Sequence, residues 1–135
     1  MRKVCPTALV LGLLSFLTPV LAHHAFTAEF DANKPVMLKG VVTKLEWANP
    51  HIWVSLEVKD ESGKVAQWQC EGGSPNALQR RGWTKDSLKP GDSVVIEGFR
   101  AKDGTNTCNS RSVKFPNGKS VFAGSSDDGG PLGGR

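Results

Sequence analysis

Within residues 36–47, VMLKGVVTKLEW, the apolar positions change parity partway along the run. Val36 and Leu38 share one parity, and after Gly40 the apolar residues Val41, Leu45 and Trp47 take the other. Successive side chains of a strand point to opposite faces, so a one-residue slip at a glycine predicts a β-bulge at Gly40. A long strand bent in this way suits the first strand of a small closed barrel better than a flat sheet.

The segments that follow keep to this plan. Residues 51–59, HIWVSLEVK, alternate: Ile52, Val54, Leu56 and Val58 point one way, and His51, Trp53, Ser55 and Glu57 the other. Asp60-Glu61-Ser62-Gly63 reads as a hairpin turn, and KVAQWQCE (64–71) returns with Ala66, Trp68 and Cys70 inward. The period then changes. Ser74 before Pro75, with Gly82 after NALQRR, gives the capping pattern of a helix of about two turns. SVVIEGFR (93–100), residues 107–115 and KSVF after Asn117-Gly118 supply the remaining strands. Three strands, a short helix and two more strands is the order of the OB-fold. The expected fold class is all-β with one short helix, an OB-fold-like small barrel of five to six strands. A generic open β-roll is the alternative.

The first 22 residues read as a secretory signal peptide, with Arg2 and Lys3 before an apolar run from Ala8 to Leu17 and Val20-Leu21-Ala22 as the cleavage pattern. An uncleaved anchor is the rival reading, but the run falls short of the roughly 20 apolar residues a bilayer span needs. The expected organisation is a signal peptide over 1–22, one domain over 23–123 and a disordered tail over 124–135, where GSSDDGGPLGGR has Leu132 as its only large apolar residue. Losing Arg2 and Lys3 leaves 15 basic and 13 acidic side chains, a net charge of +2. That balance does not support a nucleic-acid partner. Nor is a membrane partner expected after cleavage.

Cys70 and Cys108 remain after processing. An even pair in an exported chain is most simply one disulfide. In the OB-fold order the third and fifth strands are neighbours, so the two cysteines fall where they can bridge. Cys108 has the opposite parity to Val113 and Phe115, which requires either a bulge between them or Cys108 in a loop. A two-cysteine metal or redox site is the alternative, and no CxxC is present.

The sharpest chemical lead is the placement of the histidines. Cleavage after Ala22 makes His23 the first residue, carrying an α-amine and an imidazole that chelate Cu(II) together. His51 is the candidate third nitrogen, giving the T-shaped geometry of a histidine brace; His24 is the alternative donor, with Glu29 or Asp31 adding an oxygen. Met37, the only methionine of the processed chain, argues against a Cu(I) carrier, which favours soft sulfur. Against all this, a His-His start can be a frayed, solvated end. A second lead is a binding face for an oligosaccharide or peptide around outward Trp53, Gln67 and Gln69. Trp53 packing on the segment HAFTAEF is the plainer account of that tryptophan. An enzyme is the weakest reading: no nucleophile motif, glycine-rich phosphate loop or HExxH occurs, and the chain has no tyrosine to serve an open copper site. The sequence thus points to an exported binding or accessory protein, periplasmic or secreted, whose partner is a periplasmic protein or a small ligand.

The run HHAFTAEFD, then KGVVTKLEWANPHIWV, then W-x-x-E with GSPNALQRRGW and LKPGD, resembles a family of small exported bacterial proteins grouped as a domain of unknown function. These open with a His-His-x-Phe motif and carry Asn-Pro-His. The resemblance spans roughly residues 23–122 and implies export and one β-rich domain, with no activity attached. Cys70 departs from the residue expected there in many relatives.

Overall fold

The computed structural model describes residues 26–125 and 128–131. In chain order its elements are α1 (Phe26–Glu29), β1 (Phe30–Glu46), β2 (Trp53–Lys59), β3 (Val65–Glu71), α2 (Pro75–Gln79), β4 (Ser93–Ala101), β5 (Thr107–Lys114) and β6 (Ser120–Phe122). The strands form one sheet in the order β3-β2-β1-β4-β5-β6, antiparallel throughout except that β3 also pairs with β5 in parallel. That last pairing closes β1, β2, β3, β5 and β4 into a ring of five strands, with β6 on the outside edge of β5. The mostly β architecture and the neighbouring β3 and β5 are as the strand order predicts. Among the described residues two short helices are present where one was expected: α1 lies in the segment ahead of the first strand.

The bend in β1 is displaced from its expected place. Val42 pairs with Leu56 and Lys44 with Ser55, so the extra residue is Thr43 and the slip lies three residues beyond Gly40. Val36, Leu38, Gly40 and Val42 therefore keep one parity. Val42 is buried, while Val41, assigned inward from the sequence, is exposed. The run "VV" is ambiguous by hydrophobicity alone, and its second valine meets the core. A second irregularity near the start of β1 moves the pairing with β4 from Phe30–Ala101 to Pro35–Phe99.

Inside the ring, Leu38, Val42, Ile52, Val54, Leu56, Val94, Ile96 and Val113 pack with Cys70 and Cys108. Each fully buried aliphatic side chain contributes about 1.5–3 kcal/mol from desolvation. Leu78 of α2 and Trp83 cap this core. Ser74 is the N-cap of α2, its Oγ accepting from the Ala77 N–H at 3.3 Å, with Pro75 at the first helical position. A smaller cluster of Phe26, Phe30, Ala101 and Phe99 lies between α1 and β4.

Candidate functional site

The disulfide positions the first two residues of the site. Cys70 and Cys108 are bonded and fully buried, and the parallel register sets Glu71 opposite Asn109. Adjacent residues of a strand face opposite ways, so the residue after each inward half-cystine is turned away from the ring core. Glu71 and Asn109 thus meet side by side, and the Asn109 side chain hydrogen-bonds the Glu71 carboxyl.

Arg111 is delivered to the same place by a bulge. Gly98 pairs with Ser110 and Glu97 with Ser112, leaving Arg111 as the extra residue of β5. This resolves the parity conflict between Cys108 and Val113: both are inward because one residue is inserted between them. The Arg111 side chain is almost wholly buried, so its charge must be met internally. Its Nη2 donates to both carboxylate oxygens of Asp128 at 3.0 and 3.1 Å, and Nη1 donates to the Ser125 carbonyl at 3.0 Å. The guanidinium also lies 4.9 Å from the centre of the Phe26 ring. Asp128 further accepts from the Asn109 amide at 3.5 Å. Asn109 Oδ1 and Arg111 Nε are buried with no hydrogen-bond partner among the described residues.

His51 stands just ahead of β2, after the cis peptide Asn49–Pro50. Its backbone is tied down on one side by Ile52, whose N–H donates to Gly73 and whose carbonyl accepts from Gly72. Its Nδ1 lies 3.0 Å from the Gly72 carbonyl oxygen. A carbonyl can only accept, so Nδ1 carries the hydrogen, and in the neutral ring Nε2 keeps its lone pair. Glu71 Oε1 is 3.7 Å from the same Nδ1, and both side chains are largely buried, 24% and 13% exposed. Burial holds the Glu71 carboxyl above its ordinary range. The His51 ring opposes that rise, the carboxylates of Glu29 and Asp128 reinforce it, and the Asn109 hydrogen bond opposes it.

The residues singled out from sequence are distributed unevenly around this cluster. His23 and His24 lie outside the described residues; Phe26, two positions after His24, is held by an N–H bond to the Asp128 carbonyl at 2.8 Å. Among the described residues alone, no group of three or more His, Cys, Asp or Glu side chains is arranged to hold a metal. Asp31, a candidate oxygen donor, is engaged locally, accepting from the Asn33 N–H at 2.9 Å. Trp53 is half-buried and lines a cavity of about 340 Å³ with Ala28, Glu29, Phe30, Lys102 and Thr105. Gln67 and Gln69 are exposed and do not line that cavity; Gln67 donates to Glu57 at 2.9 Å instead. A larger cavity, about 580 Å³, opens around Val41 and Val65 with Lys39, Lys59 and Lys114, but it contains no histidine.

Glu71, Asn109, Arg111 and Asp128 were not anticipated as site residues. Signals existed for three of them: Glu71 and Asn109 each follow a half-cystine, and the parity conflict in β5 allowed a bulge, whose extra residue is Arg111; nothing in the sequence marked Asp128 as its partner.

The chain belongs to a family of unknown function, DUF6152, whose model matches residues 10–110. Comparison with curated proteins gave no match, and comparison with solved structures gave none. The disulfide is consistent with an oxidising compartment outside the cytoplasm.

Proposed function

We propose that this is an exported accessory protein, periplasmic or secreted, that binds Cu(II) through His23, His24 and His51. The observation that carries the reading is the fixed ring of His51. Ligating histidines characteristically donate their second ring N–H to a carbonyl or carboxylate, which sets the tautomer and aims the other nitrogen at the metal. His51 has this arrangement, with Gly72 as acceptor and Glu71 behind it. The amino terminus supplies the remaining donors. Nitrogen donors of this kind favour Cu(II) among first-row divalent ions.

The test is a Cu(II) titration followed by electron paramagnetic resonance, on protein processed to begin at His23. Tight one-to-one binding with a nitrogen-rich signal is expected, weakened by His51→Ala and abolished when one extra residue precedes His23. Weak binding that ignores both changes would eliminate the copper reading.

The cavity beside Trp53 favours a second reading, an oligosaccharide or peptide module. Quenching of tryptophan fluorescence by cell-wall sugars or peptides, lost in Trp53→Ala, is its expected signature; no response across such a panel would remove it.

A further inference from the structure

Strand alternation carries a group of cations to one place on the outside of the ring. Leu38 and Val42 of β1, Val94 and Ile96 of β4, and Val113 of β5 pack in the core. Their neighbours Lys39, Val41, Val95 and Lys114 therefore face out. The register sets Lys39 opposite Val95 and Val95 opposite Lys114, so the two lysines flank the valine across three strands. Lys59 of β2 follows Val58, the partner of Gly40, and itself pairs with Val65 of β3. These side chains line the cavity of about 580 Å³. Val41 and Val65 are 41% and 44% exposed, so its floor leaves apolar surface in water. Among the described residues the ammonium groups of Lys39, Lys59 and Lys114 have no hydrogen bond or ion pair. The one carboxylate of the lining, Glu57, already accepts from Gln67 at 2.9 Å. Cations gathered on one face repel one another, a cost that a bound anion relieves.

The floor offers no free main-chain hydrogen bonds. At Gly40 and Val41, β1 is paired on one side with β2 and on the other with β4, so an extended peptide finds no open edge to join there. Recognition is left to side chains: an apolar floor, a positive rim, and a volume that suits a small molecule. We propose that this groove binds a soluble amphipathic anion, an apolar chain ending in one carboxylate, of the size of a medium-chain fatty acid. The chain lies on Val41, Val65 and Val95, and the carboxylate meets the ammonium groups of Lys39 and Lys114. Lysine fits this task, since its point charge on a flexible stem follows a headgroup without imposing a bidentate geometry. His51 does not line the groove, so the proposal stands apart from the copper reading.

The experiment titrates dodecanoate, kept below its micelle concentration, into the ¹⁵N-labelled exported protein. Calorimetry gives the affinity and amide shifts give the location. One-to-one binding is expected, with shifts concentrated at residues 39–41 and 93–95 and at Lys114. Octanoate, with a shorter apolar chain, should bind at least about tenfold more weakly. The cation dodecyltrimethylammonium, with the same chain length as dodecanoate, should not bind. Lys39→Glu combined with Lys114→Glu should weaken dodecanoate at least about tenfold, whereas Lys85→Glu, exposed and outside the groove, should leave it unchanged. Val41→Ser acts on the floor alone and remains informative if the double charge reversal disturbs folding, which circular dichroism reports. Absence of dodecanoate binding, shifts away from the groove, or equal weakening in Lys85→Glu would overturn the proposal. Binding to phosphatidylglycerol vesicles without a response to dodecanoate would overturn it as well, and make the lysine face a contact for a membrane surface.

Discussion

Glu71 Oε1 lies 3.7 Å from His51 Nδ1, yet that nitrogen spends its hydrogen on the Gly72 carbonyl, 3.0 Å away. The carboxyl therefore stands near the imidazole without its best hydrogen bond. Burial dominates and raises the Glu71 pKa above the usual 4.5, with Glu29 and Asp128 adding to the rise and His51 and Asn109 resisting it. In the unfolded chain Glu71 gives up its proton near the usual value, so between that value and the folded one the native state binds more protons. The resulting stabilisation is complete below pH 4.5 and is lost as the pH rises through the folded pKa. Glu71→Gln removes this term. Urea unfolding at about pH 4 and about pH 8 should show the metal-free variant losing less stability on the alkaline side than the native protein does. An identical pH dependence in the two would mean the carboxyl is not held protonated by the fold.

The Cys70–Cys108 bond should contribute about 4 kcal/mol by restricting the unfolded chain, given a sequence separation of 38. Replacing both cysteines with serine is expected to lower the urea midpoint accordingly. The loss should reach the site as well, because Glu71 and Asn109 owe their adjacency to the pairing at this bond. Hydrogen exchange of the amides around Gln69–Glu71 and Thr107–Asn109 would report it. Protection unchanged there, alongside a lower midpoint, would mean that the parallel ladder stands without the covalent link.

Gly98 faces the bulge that presents Arg111, and a Cβ at this position would collide with the Asn109 carbonyl oxygen. Backbone cannot yield as a flexible side-chain tip can, so Gly98→Ala should cost about 3 kcal/mol. Thermal unfolding checks the magnitude. A cost within about 0.5 kcal/mol of zero, the range of a neutral surface change, would show that β4 and β5 separate easily here and that the bulge is softer than its geometry indicates.

The ring of strands was legible because alternation, turn residues and helix caps agreed with one another along the chain. His51 was legible as chemistry but not as geometry: its spacing said nothing of Gly72, 21 positions away, whose carbonyl fixes the ring. The bend in β1 was misplaced by three residues because Val41 and Val42 are the same residue type, and only the pairing with β2 separates the inward one from the outward one. The Arg111–Asp128 pair was hidden for a different reason. Asp128 sits in a glycine-rich stretch with almost no apolar content, and what holds it is a buried charge supplied by a bulge on another strand, a tertiary relationship without local periodicity.

The tautomer of His51 is the most direct prediction, since it concerns the metal-free protein and needs no assumption about copper. With the Gly72 carbonyl as acceptor, the neutral ring should carry its hydrogen on Nδ1 and leave Nε2 bare. Most solvated histidines favour the opposite tautomer, so the distinction is measurable from the two ring ¹⁵N shifts in a long-range proton–nitrogen correlation spectrum. The backbone bonds between Ile52 and the Gly72–Gly73 pair hold the acceptor in place, so the preference should persist in Glu71→Gln, where the nearby carboxyl is gone but the carbonyl remains. A hydrogen found on Nε2 in the native protein would remove the geometric basis for His51 as a ligand. A switch of tautomer in Glu71→Gln alone would instead make the carboxyl, and not the carbonyl, the group that orients the ring.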